Sequence, residues 1–350
     1  MTSVKIQEHV PLAPLTTFQV GGPARYFIEA QSEEDVSAAV AYARERGLQL
    51  FVLGGGSNLV VSDSGWDGVV LKIGLRGITL SSKSGKAIFE AGAGEDWDSF
   101  VAHTVNLNCG GIECMSGIPG TVGGTPVQNV GAYGQEAAET ITRVRVLDLE
   151  QNKICELENR DSGFAYRTSI FNSSARGRYI VLRVSYALTP GAAPHIAYAD
   201  LETFFGVKSP TLQETREAVR HIRRTKAMLL VEGDADSRSA GSFFKNPIVT
   251  PKQYDEICRQ PAAHRERVPQ FPAPDGNMKI SAAWLVEHAG FSKGLQRGPV
   301  GISSKHALAI INRGGARAAE IVALKNEIQQ RVQEAFGIEL HPEPVFVGRF

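Results

Sequence analysis

The stretch 116–134, SGIPGTVGGTPVQNVGAYG, constrains the fold of this chain more than any other segment. Six glycines and two prolines in nineteen residues exclude a long helix or a central strand, because glycine loses much backbone entropy there and proline lacks an N–H donor. Such a run turns tightly and offers backbone N–H groups to phosphate or other anionic oxygens. The alternative is a long surface loop, although structureless loops of this length are usually functional. Polar residues in the run are able to hydrogen-bond a planar heterocycle: Thr121, Thr125, Gln128, Asn129 and Tyr133.

A second glycine cluster, GGGSN at 54–58, directly follows the apolar run 48–53. A strand followed by a glycine turn is typical of a phosphate site at a strand end. The dinucleotide fingerprint G-x-G-x-x-G is not met, because Leu59 stands where its third glycine belongs and residues 60–68 favour a loop. The lysine-bearing phosphate loop is absent as well. A dinucleotide that binds here therefore does not bind to a Rossmann unit.

The composition is that of a globular protein without a bias toward nucleic acid. The 350 residues are enough for two or three domains, and 43% are hydrophobic against 21% charged. Lys+Arg and Asp+Glu are 37 each, so no overall field favours an anionic partner. We expect no membrane segment, no signal peptide and a cytoplasmic location. The cysteines lack C-x-x-C or histidine spacing, which favours free thiols and no metal site: Cys109, Cys114, Cys155 and Cys258.

Periodicity and capping residues predict helices and strands along the whole chain. Two capping boxes, each with an acid three residues after a Ser or Thr, open helices at 32 and 211 that end near 47 and 226. Further predicted helices are 96–106, 281–289 and 316–336. Strands at 143–149 and 153–157 form a predicted hairpin. The remaining predicted strands are 24–29, 48–53, 69–73, 86–91, 179–188, 307–312 and 345–348.

Two further segments carry groups that suit anionic ligands. In FAYRTSIF, at 164–171, two phenylalanines bracket a polar centre, which is typical of a loop fixed at both sides with its middle presented to a cavity. Cations at a helix C-terminus suit the helix dipole, and capture of a pyrophosphate or a 2′-phosphate is the functional alternative. The helix that ends near 226 carries such a cluster: Arg220, His221, Arg223, Arg224 and Lys226.

Several separated motifs occur in one order along the chain. They are TTFQVGG, LGGGSN, GIPGTVGGTPVQNVGAYG, FAYRTSIF, AGSFFKNP, the segment 293–301 and HPEPVFVG. With them the chain resembles, essentially from end to end, the UDP-N-acetylenolpyruvoylglucosamine reductase family, also called UDP-N-acetylmuramate dehydrogenases. These flavoenzymes complete the lactyl ether of a peptidoglycan precursor.

The resemblance implies an α+β fold with a two-part FAD-binding region of the vanillyl-alcohol-oxidase-like type and a third, α/β substrate-binding domain. The implied domains are 1–77, to which the C-terminal strand 345–350 returns, then 78–218 and 219–344. FAD would be held non-covalently, and NADPH would reduce it. The flavin N5 would then pass hydride to carbon 3 of a UDP-sugar enolpyruvate. We expect the protein to act as a monomer, with small molecules as its only partners.

The resemblance also assigns roles to single residues. Arg167 matches the arginine that polarises the substrate carboxylate, and Ser242 matches the donor of a proton to carbon 2. Glu343 matches the acid on the other side of the carboxylate, where it would act protonated or paired with Arg167. Hydride addition at carbon 3 pushes negative charge onto carbon 2, so these residue types fit the chemistry. The implied cofactor-binding residues are Gly54, Gly55, Gly56, Ser57, Asn58, Ser116, Gly117, Ile118, Pro119, Gly120, Gly123, Gly124, Gln128, Asn129, Gly131, Ala132 and Tyr133.

The family's contacts to substrate and NADPH match Tyr166, Lys226, Asn246 and Gln296. Tyr198, in HIAYADL, matches the tyrosine of the mobile loop that marks one of two structural types. One departure is the segment 227–240, which is longer than the short proline-containing turn of some members and leaves the pose of the preceding lysine open.

Two other functions stay open beside this one. A flavin oxidase on the same architecture would oxidise a different substrate with oxygen. Alcohol oxidation needs a base near the flavin rather than a proton donor, so the assignment of Ser242 distinguishes the two. A non-catalytic flavin- or nucleotide-binding module would have no reason to keep four polar residues together: Tyr166, Arg167, Ser242 and Glu343.

Overall fold

The computed structural model describes residues 4–260 and 266–350. Within these ranges the strands are β1 (Ile6–Pro11), β2 (Pro23–Ala30), β3 (Leu50–Leu53), β4 (Leu59–Val61), β5 (Trp66–Ile73), β6 (Ile78–Lys83), β7 (Lys86–Gly92), β8 (Cys109–Gly110), β9 (Gly131–Ala132), β10 (Gln135–Glu136), β11 (Ile141–Asp148), β12 (Lys153–Glu158), β13 (Tyr179–Pro190), β14 (Ile248–Val249), β15 (Gln270–Pro272), β16 (Met278–Ile280), β17 (Gln296–Arg297), β18 (Val300–Ile302), β19 (Ile310–Asn312) and β20 (Val345–Val347). The α-helices are α1 (Glu33–Glu45), α2 (Trp97–Asn106), α3 (Ala199–Phe205), α4 (Leu212–Thr225), α5 (Pro251–Cys258), α6 (Ala282–His288) and α7 (Ala318–Phe336).

The chain divides into two compact units, each made of segments that are separated in sequence. The first unit comprises the described residues up to Val10 together with Ala24–Gly56 and Asp67–Thr225. The second comprises Pro11–Pro23, Ser57–Trp66 and the described part of Lys226–Phe350. The three-part domain division expected from the sequence stays a prediction.

The first unit contains the two largest sheets of the described chain. One has the strand order β1-β2-β5-β3, and β3 runs parallel to β5 with Leu53 opposite Lys72. The other has the order β12-β11-β13-β7-β6 with antiparallel neighbours, and β8 also pairs with β13. Alternate residues of β7 are buried, as expected for a strand with one face on a core. Large aromatic side chains fill that core: Phe89, Trp97, Phe100 and Tyr186.

Local capping determines where the helices of this unit begin. At the start of α1, Ser32 Oγ accepts the Asp35 N–H and the Asp35 carboxylate accepts the Ser32 N–H, each at 3.1 Å. Thr211 and Glu214 make the same reciprocal pair before α4, at 2.7 Å and 3.1 Å. Both predicted capping boxes are therefore confirmed. A helix cap of this kind is worth about 1 kcal/mol.

The glycine-rich stretch 116–134 forms neither a long helix nor a central strand, as its composition predicts. It contains the 3-10 turn Val122–Gly124 and the two-residue strand β9. Gly117 (φ 72°) and Gly120 (φ 135°) have left-handed backbone, which a side chain would strain. Glycine is therefore required for the path of this loop as well as for its open surface.

The second unit is built on helix α7 and small sheets. The sheets have the orders β14-β16-β15, β17-β18-β19 and β20-β4. β4 runs parallel to β20, so that Val60 lies opposite Phe346. The predicted loop over 60–68 is wrong at β4 and at the first residues of β5, because the partner of β4 lies far along the chain and leaves no local signal. Buried residues on α7 follow the helical period: Ala318, Ile321, Leu324, Ile328, Val332 and Phe336.

The other predicted helices and strands are confirmed, with their ends moved by up to three residues. For example, the strand predicted at 307–312 is the shorter β19, and the helix predicted at 316–336 is α7. Elements that the sequence analysis did not predict are β1, β4, β6, β8, β9, β10, α3, α5, β17, β18 and the β14-β16-β15 sheet. The cysteines are free thiols, as predicted. Among the described residues, no helix has the length and apolar character needed to cross a bilayer.

Candidate active site

The two glycine clusters of the first unit are in contact, and their backbones form a cradle. A Cβ added to Gly55 would lie 2.5 Å from the Cα of Gly120, and one added to Gly54 would lie 3.1 Å from Thr121 Oγ1. Across the part of the chain that the structure describes, no group accepts a hydrogen bond from the N–H of Gly55, Gly56 or Gly120. Open N–H groups on a surface without side chains suit anionic oxygens, so the cradle fits the pyrophosphate of a dinucleotide.

Charged side chains hold both clusters in place. Lys72 Nζ donates to the Gly54 carbonyl, and burial lowers the pKa of Lys72. The Gly117 N–H donates to Asp98 Oδ1 at 2.6 Å, and Arg216 donates to Asp98 Oδ2 at 3.0 Å. Burial opposes the charge of Asp98, but the hydrogen bonds from Arg216 and Gly117 outweigh it, and the pKa of this carboxyl is lowered. The glycine loop is therefore fixed by a partly buried, ionised carboxylate.

The loop 164–171 is fixed to the same glycine-rich stretch. Ser169 Oγ donates to the Val127 carbonyl at 2.7 Å, and Asn129 Nδ2 donates to the Ala165 carbonyl at 3.1 Å. The two phenylalanines of the loop pack against the core of the first unit. The interpretation of this segment as a loop fixed at both sides is confirmed.

Arg167 lies at the exposed middle of this loop, next to Tyr166. Arg167 has a left-handed backbone with φ 53°, and Tyr166 is 42% exposed. Arg167 Nη2 donates to the Gly131 carbonyl at 2.9 Å, and the guanidinium carbon lies 5.8 Å from the centroid of the Tyr166 ring. The structure thus ties the arginine, a predicted site residue, to the backbone of the glycine-rich stretch.

Tyr133 and Tyr198, predicted as cofactor and substrate residues, are also in contact. Their ring centroids lie 5.3 Å apart in an edge-to-face arrangement. Burial raises the pKa of Tyr133 to about 12, whereas Tyr198, directly before α3, is 45% exposed. Arg223 is buried as well, and this burial, with the nearby charge of Arg167, lowers its pKa to about 10. Of the basic cluster on α4, Arg220 donates to Asp98, so this cation supports the glycine loop.

Three of the sequence motifs meet in the second unit. Thr17 Oγ1 donates to the carbonyls of Ser57, at 3.3 Å, and of Ser239. Asn58 Nδ2 donates to the Glu343 carbonyl at 3.2 Å. The TTFQ, GGGSN and HPEP motifs therefore stabilise one another through hydrogen bonds.

Ser242 and Glu343, two of the three predicted catalytic residues, belong to neighbouring extended segments of this unit. The Glu343 N–H donates to the carbonyl of Phe243, the residue after Ser242, at 2.9 Å. Ser242 Oγ lies 3.1 Å from His306 Nε2. Burial lowers the pKa of His306 to about 4, with further contributions from the charges of Lys226 and Lys293. The serine hydroxyl thus contacts a neutral imidazole.

The predicted substrate residues of the second unit are held in different ways. Lys226 is partly buried and close enough to His306 for its charge to act on that ring, which describes the pose left open by the sequence. Asn246 Oδ1 accepts the N–H of Ala282 at 2.9 Å, at the first turn of α6. Gln296 is exposed on β17.

Some predicted cofactor residues use their side chains within the protein. Asn129 Nδ2 also donates to Glu136 Oε2 at 2.8 Å, and Asn129 Oδ1 accepts the Ala138 N–H at 2.9 Å. Ser116 Oγ donates to the Glu113 carbonyl at 2.6 Å. These side chains fix the path of the glycine-rich loop.

Sequence reasoning missed three residues of these sites. Asp98 stands in the predicted helix 96–106, and Lys72 in the predicted strand 69–73. A single charged residue in a helix or strand is usually assigned to its solvent-exposed face. His306 precedes the predicted strand 307–312 and belongs to no quoted motif. The role of each side chain is visible only from its tertiary contacts, which are all with residues distant in sequence.

Comparison with known proteins agrees with the geometry. Residues 24–158, which include both glycine clusters, match the family model for an FAD-binding domain. This match and the cradle define the chain as an FAD-dependent oxidoreductase. Residues 233–347 match the model for the UDP-N-acetylenolpyruvoylglucosamine reductase C-terminal domain. The chain belongs to the UDP-N-acetylenolpyruvoylglucosamine reductase family, as the relatives below establish.

Two curated relatives carry the name of this reductase. The one from Streptomyces coelicolor is 44% identical over 353 residues, which cover 97% of this chain and 89% of the relative. The one from Saccharopolyspora erythraea is 45% identical over 348 residues, with coverage of 96% and 94%. The crystal structure of the reductase from Thermus caldophilus has a TM-score of 0.65 at 24% identity, covers 99% of both chains and shows the shared fold. The predicted α+β fold with an FAD-binding region, and FAD as cofactor, are confirmed. The vanillyl-alcohol-oxidase-like type of that region stays a prediction.

Proposed function

We propose that this protein catalyses the NADPH-dependent reduction of UDP-N-acetylglucosamine enolpyruvate to UDP-N-acetylmuramate, a step of peptidoglycan precursor synthesis. The observation that carries the proposal is the pairing of two motifs in the second unit. The backbone of Glu343 is hydrogen-bonded to Phe243, so the acid lies beside the serine motif although about 100 residues separate them in sequence. A proton donor and an acid are the groups that the substrate side of this reaction needs.

The cradle of Gly55, Gly56 and Gly120 would hold the pyrophosphate of FAD, which would supply the hydride for carbon 3 of the enolpyruvyl group. The cradle presents N–H groups and no side chains, and an added Cβ at Gly55 would meet the Gly120 backbone. The fixed N–H groups need no rearrangement when the anionic oxygens bind, because the protein backbone is already in place.

Ser242 then donates its proton to carbon 2. A serine hydroxyl is a feeble acid, so this step requires the strongly basic, enolate-like species that hydride addition creates. Ser242 is partly buried and hydrogen-bonded to a neutral imidazole, which supports a hydroxyl held in one orientation.

Arg167 and Glu343 stabilise the charge that develops on the substrate carboxylate. The guanidinium of Arg167 offers a planar set of donors that matches a carboxylate, and one of its nitrogens is already tied to the Gly131 carbonyl. Removing one preorganised donor of this kind typically costs about 3–4 kcal/mol of transition-state stabilisation. Tyr166, Tyr198, Lys226, Asn246 and Gln296 would bind the sugar nucleotide or NADPH.

The deciding experiment is a visible absorption spectrum of the purified protein under anaerobic conditions. We expect a yellow flavin spectrum that is bleached by NADPH and that returns when the enolpyruvyl sugar nucleotide is added, and NADH in place of NADPH tests the choice of donor. A flavin that returns only on admission of oxygen would indicate an oxidase instead. A protein that binds no FAD would contradict the proposal at its first step.

A further inference from the structure

His306 is the one side chain that the structure shows at Ser242 Oγ within the described residues, and no quoted motif contains it. The distance from Nε2 to Oγ is 3.1 Å, within the range of a hydrogen bond between these atoms. Both residues are partly buried. The backbone of Phe243, next to Ser242, also donates to the Leu308 carbonyl at 2.8 Å, so the two segments are joined through main chain as well.

The charges around His306 keep its ring neutral. Burial disfavours the imidazolium, and the positive charges of Lys226 and Lys293 disfavour it further, so the pKa of His306 is lowered to about 4. A neutral imidazole carries one N–H and one bare nitrogen, and therefore either donates to the serine or accepts from it.

A ring that accepts the serine proton would act as a base and become an imidazolium between two lysine charges. Burial and the charges of Lys226 and Lys293 all disfavour this imidazolium. A ring that donates through Nε2–H stays neutral throughout the reaction. The surroundings of His306 therefore favour the donor role and argue against a serine nucleophile activated by histidine.

We propose that His306 is a positioning residue for Ser242, whose Oγ accepts a hydrogen bond from the His306 Nε2–H. This inference rests on the proposed function. The hydrogen bond occupies a lone pair of Oγ, so the hydroxyl hydrogen points away from the ring and is available to carbon 2 of the substrate. The same N–H stabilises the negative charge that remains on Oγ after the proton has left.

The atoms and electrons of the step balance without a change in His306. The Ser242 O–H bond breaks, the electron pair of the enolate forms the new C–H bond at carbon 2, and the negative charge moves to Ser242 Oγ. Water then returns a proton to Oγ and leaves as hydroxide. His306 donates a hydrogen bond throughout and transfers no proton, which agrees with a ring that is held neutral.

Two substitutions separate this role from a structural one. His306→Phe keeps a flat ring and removes the donor, whereas His306→Gln places an amide N–H near the position of Nε2. His288→Gln is the matched control, because His288 is stacked on Trp284 in the same unit and is outside the proposed site. Each holoenzyme is first checked for flavin content and thermal unfolding, and both half-reactions are then followed by anaerobic stopped-flow absorbance.

We expect His306→Phe to slow flavin reoxidation by the enolpyruvyl sugar nucleotide about 10- to 100-fold and to leave reduction by NADPH within about 2-fold. His306→Gln should recover most of the rate, and His288→Gln should equal the parent protein. Because His306 acts through Ser242, the double variant Ser242→Ala/His306→Phe should be no slower than Ser242→Ala alone.

The outcomes distinguish the inference from the function on which it rests. If the parent flavin is not reoxidised by the enolpyruvyl sugar nucleotide, both are overturned. If the parent is reoxidised and His306→Phe is equally fast, the inference alone is overturned. Additive losses in the double variant, or equal slowing of both half-reactions, would also overturn it, because they would show an effect that does not pass through Ser242.

Discussion

The two units of this chain build their functional regions from different parts of the polypeptide. In the first unit the region at 54–56 and 116–134 is mostly backbone, and a single Cβ at Gly55 would meet the main chain of Gly120 at 2.5 Å. In the second unit the region at Ser242 consists of side chains on segments that are hydrogen-bonded through Phe243 and Glu343. Backbone N–H groups suit the anionic oxygens of a cofactor, which do not change during the reaction. Transfer of a proton to one substrate atom requires an ionisable or hydroxyl side chain.

Arg167 is the exception within the first unit. It is a side chain in a backbone-built region, and its own left-handed φ of 53° is costly for a residue with a Cβ. The turn is stabilised by hydrogen bonds in both directions between Ala165 and Thr168, at 2.9 Å and 3.1 Å. Backbone strain of this kind persists only where the surroundings enforce it, and it is common at functional sites.

The largest effect is expected at the side-chain region, from Ser242→Ala. Loss of the hydroxyl removes the proton donor, and general acid catalysis is typically worth about 10²- to 10⁴-fold. We expect flavin reoxidation by the enolpyruvyl sugar nucleotide to slow by that factor, and reduction by NADPH to stay near normal, in anaerobic stopped-flow measurements.

Ser292→Ala is a suitable control, since Ser292 is an exposed serine of the same unit. Equal slowing of both half-reactions in Ser242→Ala would contradict the proton-donor role of Ser242. The contrast between a side-chain region in the second unit and a backbone region in the first would then lose its chemical basis.

Arg167→Lys tests the one functional side chain proposed for the backbone-built region of the first unit. A guanidinium can donate to the Gly131 carbonyl and, through its other nitrogens, to a carboxylate at the same time. The single compact ammonium group of a lysine cannot make both sets of hydrogen bonds in this geometry. Turnover should fall about 10²- to 10³-fold, the usual loss for one preorganised donor. Steady-state rates of Arg167→Lys and of the exposed control Arg176→Lys measure this effect. Turnover near that of the parent would mean that only the positive charge at 167 matters.

The sequence alone predicted what depends on short-range chemistry. Both capping boxes are present with their reciprocal hydrogen bonds, because each depends only on residues three positions apart. The glycine-rich stretch forms an irregular loop, because glycine and proline exclude the alternatives locally. The motifs that carry the family resemblance contain all of the predicted site residues except Ser116, Tyr198 and Lys226.

What the sequence could not predict depends on long-range pairing. Strand β4 exists because β20 lies beside it, and β20 comes from the end of the chain. His306 contacts Ser242 across 64 residues, and Asp98, which holds the glycine loop, is bound by Arg216 of α4 across 118 residues. Neither a histidine nor an aspartate has a local sequence pattern that marks such a contact, so periodicity and composition do not predict these two contacts.

A pH-dependent stability effect is expected next in size. His306 has a pKa of about 4 in the folded protein against 6.5 for an ordinary histidine. Between these values the unfolded chain binds the proton more readily, so the free energy of unfolding falls as the pH falls through this range. The loss at about pH 4.5 is on the order of 2–3 kcal/mol relative to about pH 7. Urea unfolding at both pH values should show a smaller loss in His306→Gln.

His341→Gln is the control for that measurement, because His341 is exposed and belongs to the same unit. If the parent, His306→Gln and His341→Gln lose stability equally on acidification, the ring of His306 is not held neutral by its surroundings. Acid loss below pH 3.8 is a separate effect, since carboxylates such as Asp98, with a lowered pKa, begin to be protonated there.

The smallest effect tests the backbone-built region with a single methyl group. Gly55→Ala would place its Cβ 2.5 Å from the Gly120 Cα, and overpacking of this kind costs about 1–3 kcal/mol. That cost corresponds to about 5- to 150-fold weaker FAD binding, measured by quenching of flavin fluorescence on titration of the apoprotein. At Gly124 the same Cβ meets nothing within 4 Å, so crowding predicts a change of less than about 3-fold for Gly124→Ala. A greater loss at Gly124 than at Gly55 would mean that direct contact with the cofactor, rather than close approach of the two glycine clusters, makes glycine necessary in this unit.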